Sequence, residues 1–161
     1  MLRTVRAFLP VAGDAAGIER AFAGDPRRWL PDACREGPTG LRMQVHAGAF
    51  SRHVSAAVGA PWRSGATQWR SLSWDPLDDD RELLTVDRML PSLDAELGLS
   101  RGHDDELTLV LDGRYAPPGG AVGAAVDAVA LHRIARSTGS RLLTEIASGL
   151  VREGSVIART P

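Results

Sequence analysis

The chain contains one cysteine, one tyrosine and no lysine or asparagine among its 161 residues. Cys34 has no second thiol to pair with, so an internal disulfide and a CxxC metal or redox framework are excluded. We therefore expect a reducing, cytoplasmic environment. All 19 cationic side chains are arginine, which excludes a Schiff-base or nucleophilic lysine.

Long apolar runs and an excess of charge are absent as well. No segment reaches the roughly eighteen apolar residues that span a bilayer, and the first apolar run is too short for a signal sequence. The net charge is −1, from 19 basic and 20 acidic side chains, and no basic stripe is visible. We therefore expect neither a membrane span nor a nucleic-acid partner.

What is present is the composition of a folded domain, with 43% hydrophobic and 24% charged residues. The length predicts a single domain over residues 1–161. Alternating polar and apolar residues predict a first strand over 2–9, which Pro10 should end. Capping residues then predict two short helices within 13–30.

The middle of the chain has strand character between short turns. Residues 31–39 are predicted to form a loop, and a break is predicted over 61–65. Links this short favour an antiparallel meander. Six further strands are predicted, over residues 41–47, 50–59, 67–75, 83–89, 93–101 and 105–115.

A long terminal helix over 120–152 follows the last strand. Pro117 and Pro118 stop that strand, and the glycines after them allow a sharp turn. About thirty helical residues would reach roughly 45 Å, long enough to cover a whole sheet. The apolar stripe of this helix, spaced i, i+4, consists of Val122, Val126, Ala130, Ile134, Leu142, Ile146 and Leu150.

This order of elements predicts an α+β fold in which a curved seven-stranded antiparallel sheet wraps around a long C-terminal helix, the helix-grip arrangement. The pattern Gly113-x-Tyr115-x-Pro-Pro-x-Gly120-x-x-Gly123-x-x-x-Asp127-x-x-x-Leu-His-Arg-x-Ala135 points the same way. It resembles the bacterial polyketide cyclase and dehydrase branch of the START-like (SRPBCC) superfamily. The resemblance implies a groove for a small hydrophobic molecule and, in a catalytic member, cyclisation or dehydration of a polyketide-like substrate.

Four histidines are candidate acids, bases or metal ligands, but none lies in a metal-ligand spacing, and we expect no metal and no cofactor. Two of them are candidate catalytic residues. His53 lies on a predicted strand and His132 on the helix that closes the groove. The alternative for His132 is a helix-edge histidine bonded to a carboxylate such as Asp127.

Further candidates for catalysis are Arg70 and Tyr115. Tyr115 would point its phenol into the groove, or else pack its ring on the following prolines. A strand arginine would orient an anionic or carbonyl-bearing ligand if it points inward, and otherwise covers surface with its stem. The predicted ligand-binding wall consists of Trp69, Arg70, Arg114, Tyr115 and Val126.

Trp69 and Trp74 are an odd number of residues apart, so only one of the two can face the groove. The prediction is binding of a small hydrophobic ligand, with or without catalysis of the polyketide cyclase kind. The alternative is a non-catalytic interaction domain whose interior is filled. A homodimer formed through a sheet edge or a surface tryptophan such as Trp62 is a further possibility.

Overall fold

The computed structural model describes residues 2–37, 40–47, 50–76, 90–116 and 128–159. Two α-helices are described, α1 (Ala15–Ala23) and α2 (Ala128–Arg159), with a 3₁₀ turn (Pro26–Arg28) after α1. The strands are β1 (Arg3–Val11), β2 (Cys34–Glu36), β3 (Gly40–Ala47), β4 (Phe50–Val58), β5 (Trp62–Ser64), β6 (Thr67–Pro76), β7 (Ser92–Arg101) and β8 (Leu107–Ala116).

All eight strands form one antiparallel sheet in the order β1-β8-β7-β6-β4-β3-β2, with β5 paired to β6. Consecutive strands are neighbours over most of the sheet, as the short links predict, and β1 joins at the far side beside β8. The predicted antiparallel sheet with a long C-terminal helix is therefore confirmed.

Three details of the predicted strands are wrong. Pro10 does not end β1. Among the described strands β1 is an edge strand with β8 as its one neighbour, and a proline is tolerated where no second partner needs its N–H. The predicted loop 31–39 contains β2, and the predicted break 61–65 contains β5. The strand predicted over 83–89 lies outside the described residues.

The predicted helix caps are confirmed. The Asp14 carboxylate accepts a hydrogen bond of 2.9 Å from the Gly17 N–H, and Gly24 closes α1. Asp25 likewise accepts from the Arg27 N–H at 3.0 Å, with Pro26 at the first position. The second helix is a single 3₁₀ turn of three residues rather than an α-helix.

Helix α2 packs against α1, β1, β3 and β8. The predicted stripe is confirmed at Leu142, Ile146 and Leu150, which are all buried in the core. The helix continues to Arg159, beyond its predicted end at 152. Residues 120–127 lie outside the described part of the chain, so the start of the helix is described only from Ala128.

Glycines set how closely α2 approaches its neighbours. A Cβ placed on Gly149 would lie 2.1 Å from the Trp29 carbonyl oxygen. Where α1 and α2 cross, a Cβ on Gly154 would lie 2.9 Å from the backbone of Gly17. Contacts this short are possible only because glycine has no side chain, so the position of α2 over the sheet depends on these residues.

Candidate functional site

An apolar pocket lies between the inner face of the sheet and α2, at the end of the sheet where β6 and β8 finish and β7 begins. It is enclosed from the sheet side by alternate, inward-facing residues of the strands and from the other side by one face of α2. Its lining residues are Val5, Trp74, Pro91, Leu93, Leu111, Tyr115, Ala135, Thr138 and Gly139.

The space that these residues enclose is about 20 Å³. That volume holds about one water molecule and is far below the roughly 300 Å³ of a site for a drug-sized ligand. A larger molecule can bind here only if the lining side chains move apart.

Two hydroxyl groups in this apolar lining have no hydrogen-bond partner. Tyr115 is 2% and Thr138 is 5% exposed, and neither hydroxyl bonds to any group in the described part of the chain. The indole N–H of Trp74, by contrast, donates to the Pro91 carbonyl oxygen at 3.0 Å. That bond holds the indole in place. Among the described side chains of the pocket, the two hydroxyls are therefore the polar groups without a partner.

The predicted wall residues are only partly brought together. Tyr115 lines the pocket. Trp69 does not, because β6 turns it to the outer face, where its ring lies against Gly98, and Trp74 takes the inward position. Arg114 is exposed on the outer face of β8. Val126 lies outside the described residues.

The predicted catalytic residues are also scattered. His53 is exposed on β4, on the face away from the buried Val54. His132 lies on α2, but its side chain is outside the described part of the structure. Arg70 points inward from β6 and is 4% exposed, yet it is not among the residues that line the pocket. Tyr115 is the member of this group whose described side chain reaches it.

Arg70 caps the C-terminal end of α1. Its Nε donates to the Phe22 carbonyl at 2.8 Å, and Nη2 donates to the carbonyls of Ala23 at 2.9 Å and Gly24 at 2.6 Å. Nη1 donates to the Gly59 carbonyl at 2.9 Å. Four of the five N–H groups of a guanidinium are thus committed to backbone oxygens, which leaves little capacity for an anionic ligand.

The surroundings of Arg70 are apolar. Its guanidinium lies 6.0 Å from the ring centroids of both Phe22 and Trp29, and those two rings stack on each other. Burial lowers the pKa of Arg70 from its ordinary value, and the negative charge of Asp25 opposes the shift. Arginine keeps its proton in proteins, so the charge stabilises the negative end of the α1 dipole.

A second polar cluster lies apart from the pocket. His46 on β3 places Nδ1 2.9 Å from a carboxylate oxygen of Glu145 on α2, and Nε of Arg141 lies 3.3 Å from the same oxygen. None of the three lines the pocket.

His46 and His53 belong to different cross-strand pairs and do not face each other. Across the described residues no group of three or more His, Cys, Asp or Glu side chains is arranged to hold a metal ion.

Thr138 was missed by the sequence interpretation, although the sequence carried a signal for it. The i, i+4 stripe of the helix runs through Ile134 and Leu142, and the position between them is Thr138. A hydroxyl in the middle of an apolar stripe is a buried polar group that requires a partner. The signal was a polar residue at a position where the i, i+4 spacing calls for an apolar one.

Comparisons with known proteins identify the architecture. No protein-family model and no curated protein sequence matches the chain. Among solved structures, the Zhui aromatase/cyclase from Streptomyces sp. R1128 is similar over 99% of this chain and 98% of that one, with 13% identity and a TM-score of 0.56. A START superfamily protein from Mycobacterium smegmatis matches over 96% and 98%, with 16% identity and a TM-score of 0.56.

The chain has the START-like helix-grip fold. Truncated norcoclaurine synthase from Thalictrum flavum, at 11% identity, shares it over 100% of this chain and 96% of that one, with a TM-score of 0.53. The resemblance predicted from the stretch Gly113–Ala135 is therefore confirmed for the fold. In the described part of this START-like chain, no helix has both the length and the apolar character that a bilayer crossing requires.

Proposed function

We propose that the protein binds a small hydrophobic ligand between the inner face of the sheet and helix α2, at the pocket beneath Gly139. The observation that carries the proposal is the lining of this pocket, whose described side chains are apolar or neutral, with no charged one among them. Sites for small molecules are mostly apolar with a few placed polar groups. The START-like fold of an aromatase/cyclase and of norcoclaurine synthase supports the same assignment by analogy.

The proposal concerns binding and leaves out catalysis. Of the four catalytic candidates named from the sequence, Tyr115 alone has a described side chain at this pocket. Arg70 is committed to backbone carbonyls, and His53 is exposed on the other face of the sheet. A reaction of the polyketide cyclase kind would need acid and base groups beyond Tyr115.

Filling the pocket tests the proposal. A Cβ on Gly139 would meet the nearest side-chain atom, Cδ2 of Leu111, at 3.4 Å, so Gly139→Ala adds a methyl group inside the pocket without a severe clash. Alanine also favours the helix by up to about 1 kcal/mol. We expect the variant to be at least as stable as the wild type and to bind ethylbenzene at least about fivefold more weakly, since the added methyl takes space that the ligand needs.

Binding is measured by NMR titration with ethylbenzene, followed at the backbone amides of residues 138 and 139. Gly102→Ala is the matched control, because its Cβ would also meet its nearest atom at ordinary distance, 3.5 Å, but at a surface turn. It should bind as the wild type does. Equal binding by Gly139→Ala and the wild type, or shifts spread over the outer surface alone, would exclude this pocket as the site.

A second candidate function is an interaction domain with a filled interior. The small volume of the pocket favours it, and so does a row of apolar residues across the outer face of the sheet. Cross-strand pairing aligns Phe8 with Val110, Val110 with Gly98, Gly98 with Trp69 and Trp69 with Trp62. Phe8 is 61% and Trp62 41% exposed. Light scattering over a concentration series would reveal self-association through this row.

A further inference from the structure

The two free hydroxyls of the pocket specify the chemistry of the ligand. We propose that Tyr115 and Thr138 together bind one uncharged oxygen atom of the ligand, a ketone carbonyl or a hydroxyl, and that the pocket rejects molecules whose buried end is a carboxylate or an ammonium group. This inference rests on the proposed function, because it assigns the polar contacts of the same pocket. It extends that function from a hydrophobic ligand in general to a neutral oxygen-bearing class.

The Thr138 hydroxyl is available for a ligand, unlike others on the same helix. Hydroxyls of Thr144, Ser148 and Ser155 each donate to the backbone carbonyl four residues earlier, at 3.0, 3.0 and 2.8 Å. This local bond is the usual way in which a helix satisfies a serine or threonine. Thr138 does not make it and has no other partner among the described residues, so its hydroxyl, unlike those three, is available to a ligand.

The Tyr115 hydroxyl comes to the same pocket from the opposite side. It is carried by β8, and Thr138 is carried by α2, so the two groups lie on facing walls. They do not bond to each other. A buried hydroxyl without a partner is strongly unfavourable. One oxygen atom placed between the two walls would satisfy both groups at once.

The donor and acceptor capacity of the Tyr115 and Thr138 hydroxyls determines which ligand groups they can bind. Each hydroxyl can donate one hydrogen bond and accept others. Both can therefore donate to a carbonyl oxygen, or one can donate to a ligand hydroxyl while the other accepts from it. None of the lining side chains that the structure describes carries a charge that would offset a buried ion. Burying an unpaired carboxylate or ammonium group there is far more unfavourable than burying a ketone.

The experiment compares three probes of one shape: acetophenone, ethylbenzene and benzoate. Their dissociation constants are measured by NMR titration of the wild type, Tyr115→Phe and Thr138→Val. We expect acetophenone to bind the wild type about fivefold or more tighter than ethylbenzene, and benzoate to bind weakest. Each variant should lower the ratio of the affinity for acetophenone to the affinity for ethylbenzene about two- to tenfold.

Urea unfolding shows whether each hydroxyl is free to bind a ligand or already has a hydrogen-bond partner within the protein. Because neither hydroxyl has a partner among the described residues, Tyr115→Phe and Thr138→Val should leave the urea midpoint unchanged or raise it. Thr144→Val is the matched control. It removes a hydroxyl that has a partner and should lower the midpoint slightly. A clear drop for Tyr115→Phe would mean that the phenol has a partner within the protein and would overturn its assignment to the ligand.

The outcomes distinguish this inference from the function on which it rests. If none of the probes binds, both are wrong. If ethylbenzene binds and acetophenone binds no tighter, the proposed function stands and the assignment of the hydroxyls is wrong. Benzoate binding as tightly as acetophenone would overturn the selection against charge. If one variant fails to fold, the other alone decides, since the two hydroxyls come from different elements.

Discussion

Replacing Gly149 with alanine is expected to destabilise the protein by about 2 to 3 kcal/mol, the upper part of the roughly 1 to 3 kcal/mol that overpacking a core usually costs. The new Cβ would lie 2.1 Å from the Trp29 carbonyl oxygen and 2.8 Å from two further backbone atoms of the same residue. Backbone atoms cannot rotate away as the end of a side chain can, so α2 or the segment at Trp29 must shift. Urea unfolding of the variant and the wild type measures the difference.

Helix propensity alone predicts the opposite sign for this substitution. Alanine is about 1 kcal/mol more favourable than glycine inside a helix, and Gly149 lies well inside α2. Gly139→Ala on the same helix is the control, because its nearest contact is 3.4 Å and it should be neutral or stabilising. If Gly149→Ala were as stable as Gly139→Ala, the close packing of α2 on Trp29 would be wrong.

Replacing Arg70 with methionine should cost about 3 to 5 kcal/mol. Methionine keeps much of the apolar stem but removes four hydrogen bonds to the carbonyls of Phe22, Ala23, Gly24 and Gly59. Hydrogen bonds to a charged donor contribute about 1.5 to 3 kcal/mol each, and partial solvation of the exposed carbonyls reduces the sum. Denaturant unfolding at neutral pH gives the value, since the guanidinium remains charged there.

Arg114→Met provides the matched control for Arg70→Met. Both arginines lie within strands, but Arg114 is exposed, and surface substitutions usually change stability by less than about 0.5 kcal/mol. Equal stability of the two variants would refute the capping role of Arg70. If Arg70→Met were as stable as the wild type but bound ethylbenzene more weakly, Arg70 would be a ligand-binding residue instead.

Predictions that depend only on neighbouring residues, such as helix caps and the apolar stripe of a helix, were confirmed. The caps of α1 are set by Asp14 and Gly24 within one turn of chain. The stripe through Leu142, Ile146 and Leu150 is a property of one helix and needs no partner to be recognised. Pro10 was misjudged because its effect depends on whether a second strand lies beside β1, and no local pattern reports that.

The site was harder to predict because it depends on which face of each strand points inward. The positions of β6 that turned out to be buried include Gln68 and Arg70, while Trp69 lies on the outer face. At this end of β6 the polar side chains therefore point inward and the large apolar one points outward, the opposite of the usual arrangement. The alternation of a strand separates two faces, but it does not say which of them the helix will cover.

The sequence by itself determined the order of the longer described strands and the helices, their antiparallel connections and the buried positions Leu142, Ile146 and Leu150 of the last helix, because these follow from periodicity, capping and link length. The three-residue strands β2 and β5 were not predicted. Only the tertiary structure decided that Arg70 would cap α1, that Trp74 rather than Trp69 would line the pocket, and that Tyr115 and Thr138 would line the same pocket. Those outcomes depend on distances between residues far apart in the chain, which are fixed when α2 packs on the sheet. Close approach at Gly149 sets that packing.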